Sequence, residues 1–217
     1  MIDTICKTYN GLLVDIDDTL YSYENAHQKA LSTTFEHWSK ITQKLSKPEF
    51  EKIYREHRDR ITKYHNGNGT SRSRHLAFQA IAEKFNVDKA YFHAHCLEKT
   101  YWDSLIDNMD PFDDIVHLVK RMHSLGKKTC IVTDMQASIQ VRKLIKLKII
   151  KYIDYVVTSE EIGVEKPDPK IYQCALNKLK MRPAEVIMLG DNFKKDIEGA
   201  QRLNIKAMQI KEGKILL

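Results

Sequence analysis

The sequence predicts an α/β fold: a parallel sheet with helices on both faces, and an all-helical insert after the first strand. Three observations predict it. Five short apolar runs punctuate the chain, at Leu12–Ile16, Thr129–Val132, Tyr155–Val157, Val186–Leu189 and Ala207–Ile210. Each is rich in Val, Ile, Leu or Met and short enough to be a buried strand. From Asp113 onward these runs alternate with helical patterns through short links, the rhythm of a parallel sheet. Between residues 22 and 108 that rhythm lapses into helical patterns with no strand among them.

The elements follow in order. After the first run come helices over Glu24–Leu45, Pro48–Tyr64, Arg74–Phe85 and Asp88–Leu105, with Pro48 as an early-helix proline. The turn-rich piece HNGNGTSRSR, from His65 to Arg74, splits this series. The helix DDIVHLVKRMHSLG stops at Gly126 and leads into the second run. Around VRKLIKLKIIK, residues Ile139, Leu144, Ile145 and Leu147 are expected to form an apolar helical face, and the basic residues to take the other. PKIYQCALNKLK is the helix after the third run. The expected division is a core of residues 1–21 and 109–217 and a helical domain of 22–108.

Composition narrows the class. With 8 Gly and 5 Pro in 217 residues, collagenous and low-complexity chains are excluded. No apolar run approaches bilayer length, so no membrane partner is expected. The start, MIDTICKTYNGLLVD, carries acids and a Lys where a secretory apolar core would sit, so no signal peptide is expected. Cys6, Cys96, Cys130 and Cys174 form no CxxC pair, which suits a reducing cytoplasm. The net charge of +6 is concentrated: Lys120 to Lys151 holds nine Lys/Arg and one acid, Asp134. Such a surface suits nucleic acid, an anionic membrane or a small anionic substrate. No zinc-finger, helix-turn-helix or RNA-recognition signature accompanies it, so nucleic acid is not an expected partner.

Four strand ends carry chemistry. In VDIDDTL the alternation of an extended chain lets Asp15 and Asp17 point the same way, a pair that a hard cation would neutralise. A turn or helix-capping acid cluster reads equally well from that string alone. In IVTDMQAS, Thr133 follows a buried strand and opens a helix, where a hydroxyl and free N–H groups cradle phosphate; an ordinary N-cap at Thr133 or Asp134 is the plainer alternative. In EIGVEKPDPKIY, Asp168 and Pro169 read as an N-cap and first-turn pair, and Pro167 and Pro169 hold Lys166 on a rigid stem. A surface lysine is the alternative there. In VIMLGDNFKKDIEGA, Gly190 permits a tight exit, Asp191 is a metal-ligand candidate and Asp196 follows one turn later. A capping Asp is again the alternative. In a parallel sheet these four ends converge on one edge, where open α/β sheets bind their ligands.

The ordered set DIDDTL, VTD, EKPDP and GDNFKKD resembles the four motifs of the haloacid dehalogenase-like superfamily of phosphotransferases and hydrolases. The stretch from Val132 to Tyr172, including Gln140, Lys143 and Leu144, is also similar to phosphatases of that family. The likeness is to its helical-cap branch of sugar-phosphate, acylneuraminate-phosphate and nucleotide phosphatases. It implies a Rossmann-like core, a cap in residues 22–108, and a Mg²⁺-dependent phosphatase of a small phosphorylated metabolite. Carried over position by position, Asp15 would be the nucleophile that forms an aspartyl-phosphate. Asp17 would protonate the leaving alcohol and then activate water. Thr133 and Asp134 would bind the phosphoryl group, with Lys166 balancing its charge. Asp15, Asp191 and the backbone carbonyl of Asp17 would ligate Mg²⁺, with Asp196 orienting Lys166 or a metal-bound water.

Asp17 disfavours dehalogenation, since no leaving alcohol needs a proton in that reaction. Asp18 stands where a Gly is common. Substrate choice is expected in the cap, where the Gly-rich turn GTSRSRH would let Arg72 or Arg74 hold a second anionic group; two solvated arginines at a helix start are the alternative. Tyr21 and Tyr23 are candidates for the entrance. The alternatives to a phosphatase are a sugar-phosphate mutase and, in a different class, a basic binding scaffold with a vestigial site. Oligomeric state is not legible.

Overall fold

The computed structural model describes residues 1–65 and 69–216, so the part of the expected turn at 66–68 lies outside the described residues. The chain divides into two compact units, residues 1–23 with 109–217, and residues 24–108.

The first unit is built on a six-stranded sheet of order β3-β2-β1-β4-β5-β6. Its strands are β1 (Gly11–Val14), β2 (Lys128–Thr133), β3 (Tyr155–Thr158), β4 (Val186–Gly190), β5 (Lys206–Lys211) and β6 (Lys214–Ile215). The first five are parallel; Leu13, for example, lies between Cys130 of β2 and Met188 of β4. β6 was not expected from the sequence. It folds back on β5 through Glu212 and Gly213, both at positive φ, the backbone of a two-residue hairpin loop.

Every residue of β1 and β4 is buried, which is why their sequences do not alternate. Leu13, Cys130, Val132 and Met188 pack with Ile171, Tyr172, Ala175 and Leu179 of one helix, on one face. Leu12, Val14, Ile131 and Leu189 point to the other face and are fully buried too. The helices of this unit are α1 (Ile2–Thr8), α6 (Asp113–Ser124), α7 (Ala137–Lys146), α8 (Ser159–Ile162), α9 (Pro169–Leu179) and α10 (Gly199–Gln201), and a π-helical stretch (Phe193–Glu198) precedes α10. α9 starts as its sequence predicts, with Asp168 accepting from the Lys170 N–H at 2.9 Å and Pro169 in the first turn.

The second unit contains α2 (Tyr23–Ile41, all but its first residue), α3 (Lys47–His65), α4 (Arg74–Lys84) and α5 (Ala90–Asp107), with a 3₁₀ turn (Gly69–Arg72) before α4. α2 stops short of the expected Leu45. The next helix is set up at Ser46, whose N–H and hydroxyl both donate to the Glu49 carboxylate, and Pro48 follows. The interior is aromatic: Trp38, Phe50, Tyr54, Phe78 and Tyr101 are each at most 2% exposed. Their ring centroids are 5.8 Å apart for Trp38–Phe50 and 5.3 Å for Tyr54–Phe78.

Candidate active site

Four chain segments bring polar side chains to the carboxyl edge of the sheet. Asp15 is the residue after β1, and its N–H extends the ladder by donating to Leu189 O at 3.0 Å. That bond fixes its backbone, and the residue is 8% exposed. Lys166 meets it: Nζ lies 2.9 Å from Asp15 Oδ1, 2.6 Å from Asp196 Oδ1 and 3.0 Å from the Val132 carbonyl. The three protons of the ammonium therefore have three acceptors. At 3% exposure Lys166 is no surface lysine. Burial opposes its charge, but Asp15 and Asp196 outweigh that and raise its pKa well above the ordinary lysine value.

Asp196 is fully buried. Its Oδ2 accepts from the Asn192 N–H at 3.0 Å, and its own N–H donates to Asn192 O at 2.7 Å. A Cβ on Gly190 would collide with the Asp196 carboxyl group, so β4 ends on a glycine to admit this side chain.

A second cluster surrounds Asp17. Its Oδ1 accepts from Lys143 Nζ at 2.6 Å and from the Tyr21 hydroxyl at 2.5 Å. Burial would raise the Asp17 pKa, but Lys143, Tyr21 and Gln140 together hold it below the usual carboxylate value. Gln140 also donates from Nε2 to Thr133 Oγ1 at 2.6 Å. Thr133 is the last residue of β2, not a helix cap: α7 begins at Ala137, whose N–H is met by Glu160 Oε2 at 2.9 Å. Asp18 takes up left-handed backbone at φ 56°, which Asp tolerates better than most residues, and accepts from the Tyr23 N–H at 2.9 Å.

Asp15, Asp191 and Asp196 each offer a carboxylate oxygen within 4.8 Å of the others. Burial, with Asp196 and Asp17 beside it, raises the Asp15 pKa. Burial, with Asp196 and Asp18 nearby, raises that of Asp191 to about 6. Crowded carboxylates that resist ionisation, all with oxygen donors, fit a hard divalent cation such as Mg²⁺.

The remaining expected residues lie as follows. The Asp134 carboxylate accepts from the Lys166 N–H at 2.8 Å and from Lys195 Nζ at 2.6 Å. Lys195 also reaches Glu165 at 2.9 Å, and so ties three of the segments together. In the second unit, Arg74 is the first residue of α4 and is 6% exposed. Its guanidinium lies 5.4 Å and 5.2 Å from the Tyr101 and Trp102 ring centroids and donates to Arg72 O at 2.9 Å. Arg72 closes the 3₁₀ turn and is half-buried.

One expectation is corrected here. Lys143 does not share a solvated basic face: it is fully buried, whereas Ile145, expected on the apolar face, is 56% exposed. The reason is register. Lys143 lies four residues after Ile139 and three after Gln140, on the stripe that turns inward, and Ile145 falls off it. That spacing was the available signal for Gln140 and Lys143. Lys195 had none, because its partners come from other segments.

Comparison with known proteins places the chain beside one family, two relatives and two solved structures. Residues 12–210 match the profile of the family described as haloacid dehalogenase-like hydrolase. The chain is 32% identical to a glyceraldehyde 3-phosphate phosphatase of Methanopyrus kandleri over 94% of its own length and 84% of that protein's. It is 27% identical to a ribulose-1,5-bisphosphate 5-phosphatase of Halopiger xanaduensis, covering 91% of this chain and 83% of that one. Among solved structures, a 2-haloacid dehalogenase of Pseudomonas syringae shares the fold with a TM-score of 0.76 at 18% identity, over 93% of this chain and 86% of the other. A HAD phosphatase of Thermococcus onnurineus does so at 0.62 and 23%, over 93% and 86%.

Proposed function

The chain belongs to the haloacid dehalogenase-like hydrolases and is a phosphoric monoester hydrolase of that family, and we propose that it cleaves a small phosphorylated sugar through a phosphorylated Asp15 with the aid of Mg²⁺. The observation that carries this reading is the contact of Lys166 Nζ with a buried Asp15 oxygen at 2.9 Å, beside the Asp191 carboxylate. An anionic carboxylate is otherwise repelled by a phosphate dianion.

In the proposed reaction an Asp15 oxygen attacks phosphorus and the ester P–O bond breaks. Asp17, ionised at rest beside Lys143, takes up a proton as the ester monoanion binds and gives it to the leaving oxygen. Water then attacks phosphorus, gives a proton to Asp17 and releases phosphate, restoring Asp15. Thr133 binds the phosphoryl oxygens from the end of β2, with Asp134 as its neighbour in that cradle. Lys166 offsets charge on Asp15 and the phosphoryl group, and Asp196 holds Lys166 in place. Asp15 and Asp191 would hold Mg²⁺, with the Asp17 carbonyl, and the bound ion would offset the charge of the phosphoryl oxygens.

The names of the two relatives support a phosphorylated sugar as the substrate class. A role in selecting a second anionic group is proposed for Arg72. For Arg74, packing over Tyr101 and Trp102 supports a part in the insert's own interior. The four cysteines are free, which supports a reducing compartment such as the cytoplasm.

A phosphate-release screen over sugar phosphates, acid-sugar phosphates and nucleoside monophosphates tests the reading, run with Mg²⁺ and with a chelator. Release by the wild type with Mg²⁺ only, and none by a folded Asp15→Asn variant, is expected. Full activity of Asp15→Asn contradicts the mechanism.

A further inference from the structure

Lys143 is fully buried on α7, although an apolar side chain would suit that stripe without the large desolvation cost of an ammonium. Its Nζ lies 2.6 Å from Asp17 Oδ1. The Tyr21 hydroxyl meets the same oxygen at 2.5 Å, and Tyr21 is also fully buried. The ammonium lies 5.7 Å from the Tyr21 ring centroid and 6.0 Å from that of Tyr23, so aromatic faces flank the charge. One turn back, Gln140 ties the same helix to Thr133 Oγ1. α7 thus braces two arms of the site at once.

We propose that Lys143 is a positioning residue: with Tyr21 it pins Oδ1 of Asp17, so that the other carboxylate oxygen is presented for proton transfer. This rests on the proposed phosphatase reading. An unpinned carboxylate rotates about its last bond and presents either oxygen in poor alignment. A pinned one holds Oδ2 where the ester oxygen departs. The ion-paired Asp17 rests as the anion; Oδ2 takes the proton of the bound ester monoanion, passes it to the leaving oxygen as the P–O bond breaks, and Asp15 keeps the phosphoryl group. The consequence falls on esters whose alcohol must be protonated to leave. An aryl ester such as p-nitrophenyl phosphate, whose leaving group departs as a stable anion, depends on it far less.

The test compares kcat/KM for p-nitrophenyl phosphate and for the best alkyl phosphate from the release screen, in the wild type, Lys143→Met and Asp17→Asn. Because kcat/KM covers the steps through phosphoryl transfer, it isolates the first proton transfer. Lys143→Met is expected to lower the alkyl-to-aryl ratio about 10- to 100-fold, in the direction of Asp17→Asn and within the range of general acid catalysis. An equal loss on both esters, or no loss on either, overturns the proposal and leaves the phosphatase reading standing. Release from no ester by the wild type overturns that reading first. Circular dichroism checks folding. If Lys143→Met does not fold, Tyr21→Phe removes the other donor to the same oxygen, and an unchanged ratio in that variant overturns the proposal.

Discussion

Replacing Gly190 by Ala tests whether the end of β4 is shaped around Asp196. The added Cβ would overlap the Asp196 carboxyl group, which is fully buried and bonded to Asn192 and Lys166. Overpacking of this kind costs about 1–3 kcal/mol. Asp196 must also shift away from Lys166, and stripping a buried charge of its partner costs about 3–5 kcal/mol. Lys166 keeps Asp15 and the Val132 carbonyl, so the lower end applies. A total near 4–6 kcal/mol corresponds to roughly 8–24 °C in Tm at 2–4 °C per kcal/mol. Both tryptophans, Trp38 and Trp102, lie in the insert, so their fluorescence reports that unit. Scanning calorimetry is therefore the assay for the core. Gly126→Ala is the control: its φ is 69° but no atom lies within 4 Å of the added Cβ, so only backbone strain of about 1–2 kcal/mol is expected. Unfolding of Gly190→Ala no lower than this control would refute the packing argument.

Other predictions follow from single features. Burial, with Arg74 nearby, lowers the His27 pKa to about 4, while the unfolded chain titrates near 6.5. The unfolded state thus binds the proton that the folded state refuses, and stability falls as pH drops from about 6.5 toward 4. At pH 5 the loss is about 2 kcal/mol, read as a lower urea midpoint of tryptophan fluorescence, and His27→Gln should flatten that pH dependence. Trp38→Ala removes a fully buried side chain and should lower the insert's stability by about 3–5 kcal/mol in the same assay. Lys146 and Lys148 are exposed; changing both to Gln should lower kcat/KM at low salt and weaken its salt dependence, and unchanged values would assign that charge to solubility alone.

The strands were legible because each carries a short run rich in apolar residues, and β1 and β4 are buried along their whole length. Tyr155–Val157 was expected where β3 spans Tyr155–Thr158, and Val186–Leu189 where β4 spans Val186–Gly190. α1 and β6 were not expected. The first is seven residues long, and the second is held by its pairing with β5. The helix after β2 begins at Ala137 and ends at Lys146, and left-handed Lys148 turns the chain away, so the basic stretch is not one amphipathic helix. The acids and Lys166 could be found because each stands beside a strand end or a proline-stiffened turn. The ion pairs that set their charges could not. Lys143 with Asp17 and Lys195 with Asp134 join residues far apart in sequence, and tertiary packing alone brings them together.

The most direct measurement is peptide mass spectrometry of enzyme acid-quenched during turnover of the best ester. The account predicts one phosphoryl group on the peptide containing Asp15, absent when Asp15 is replaced by Asn. Steady phosphate release with no phosphorylated Asp15 at any quench time, together with activity in the Asn variant, would contradict it.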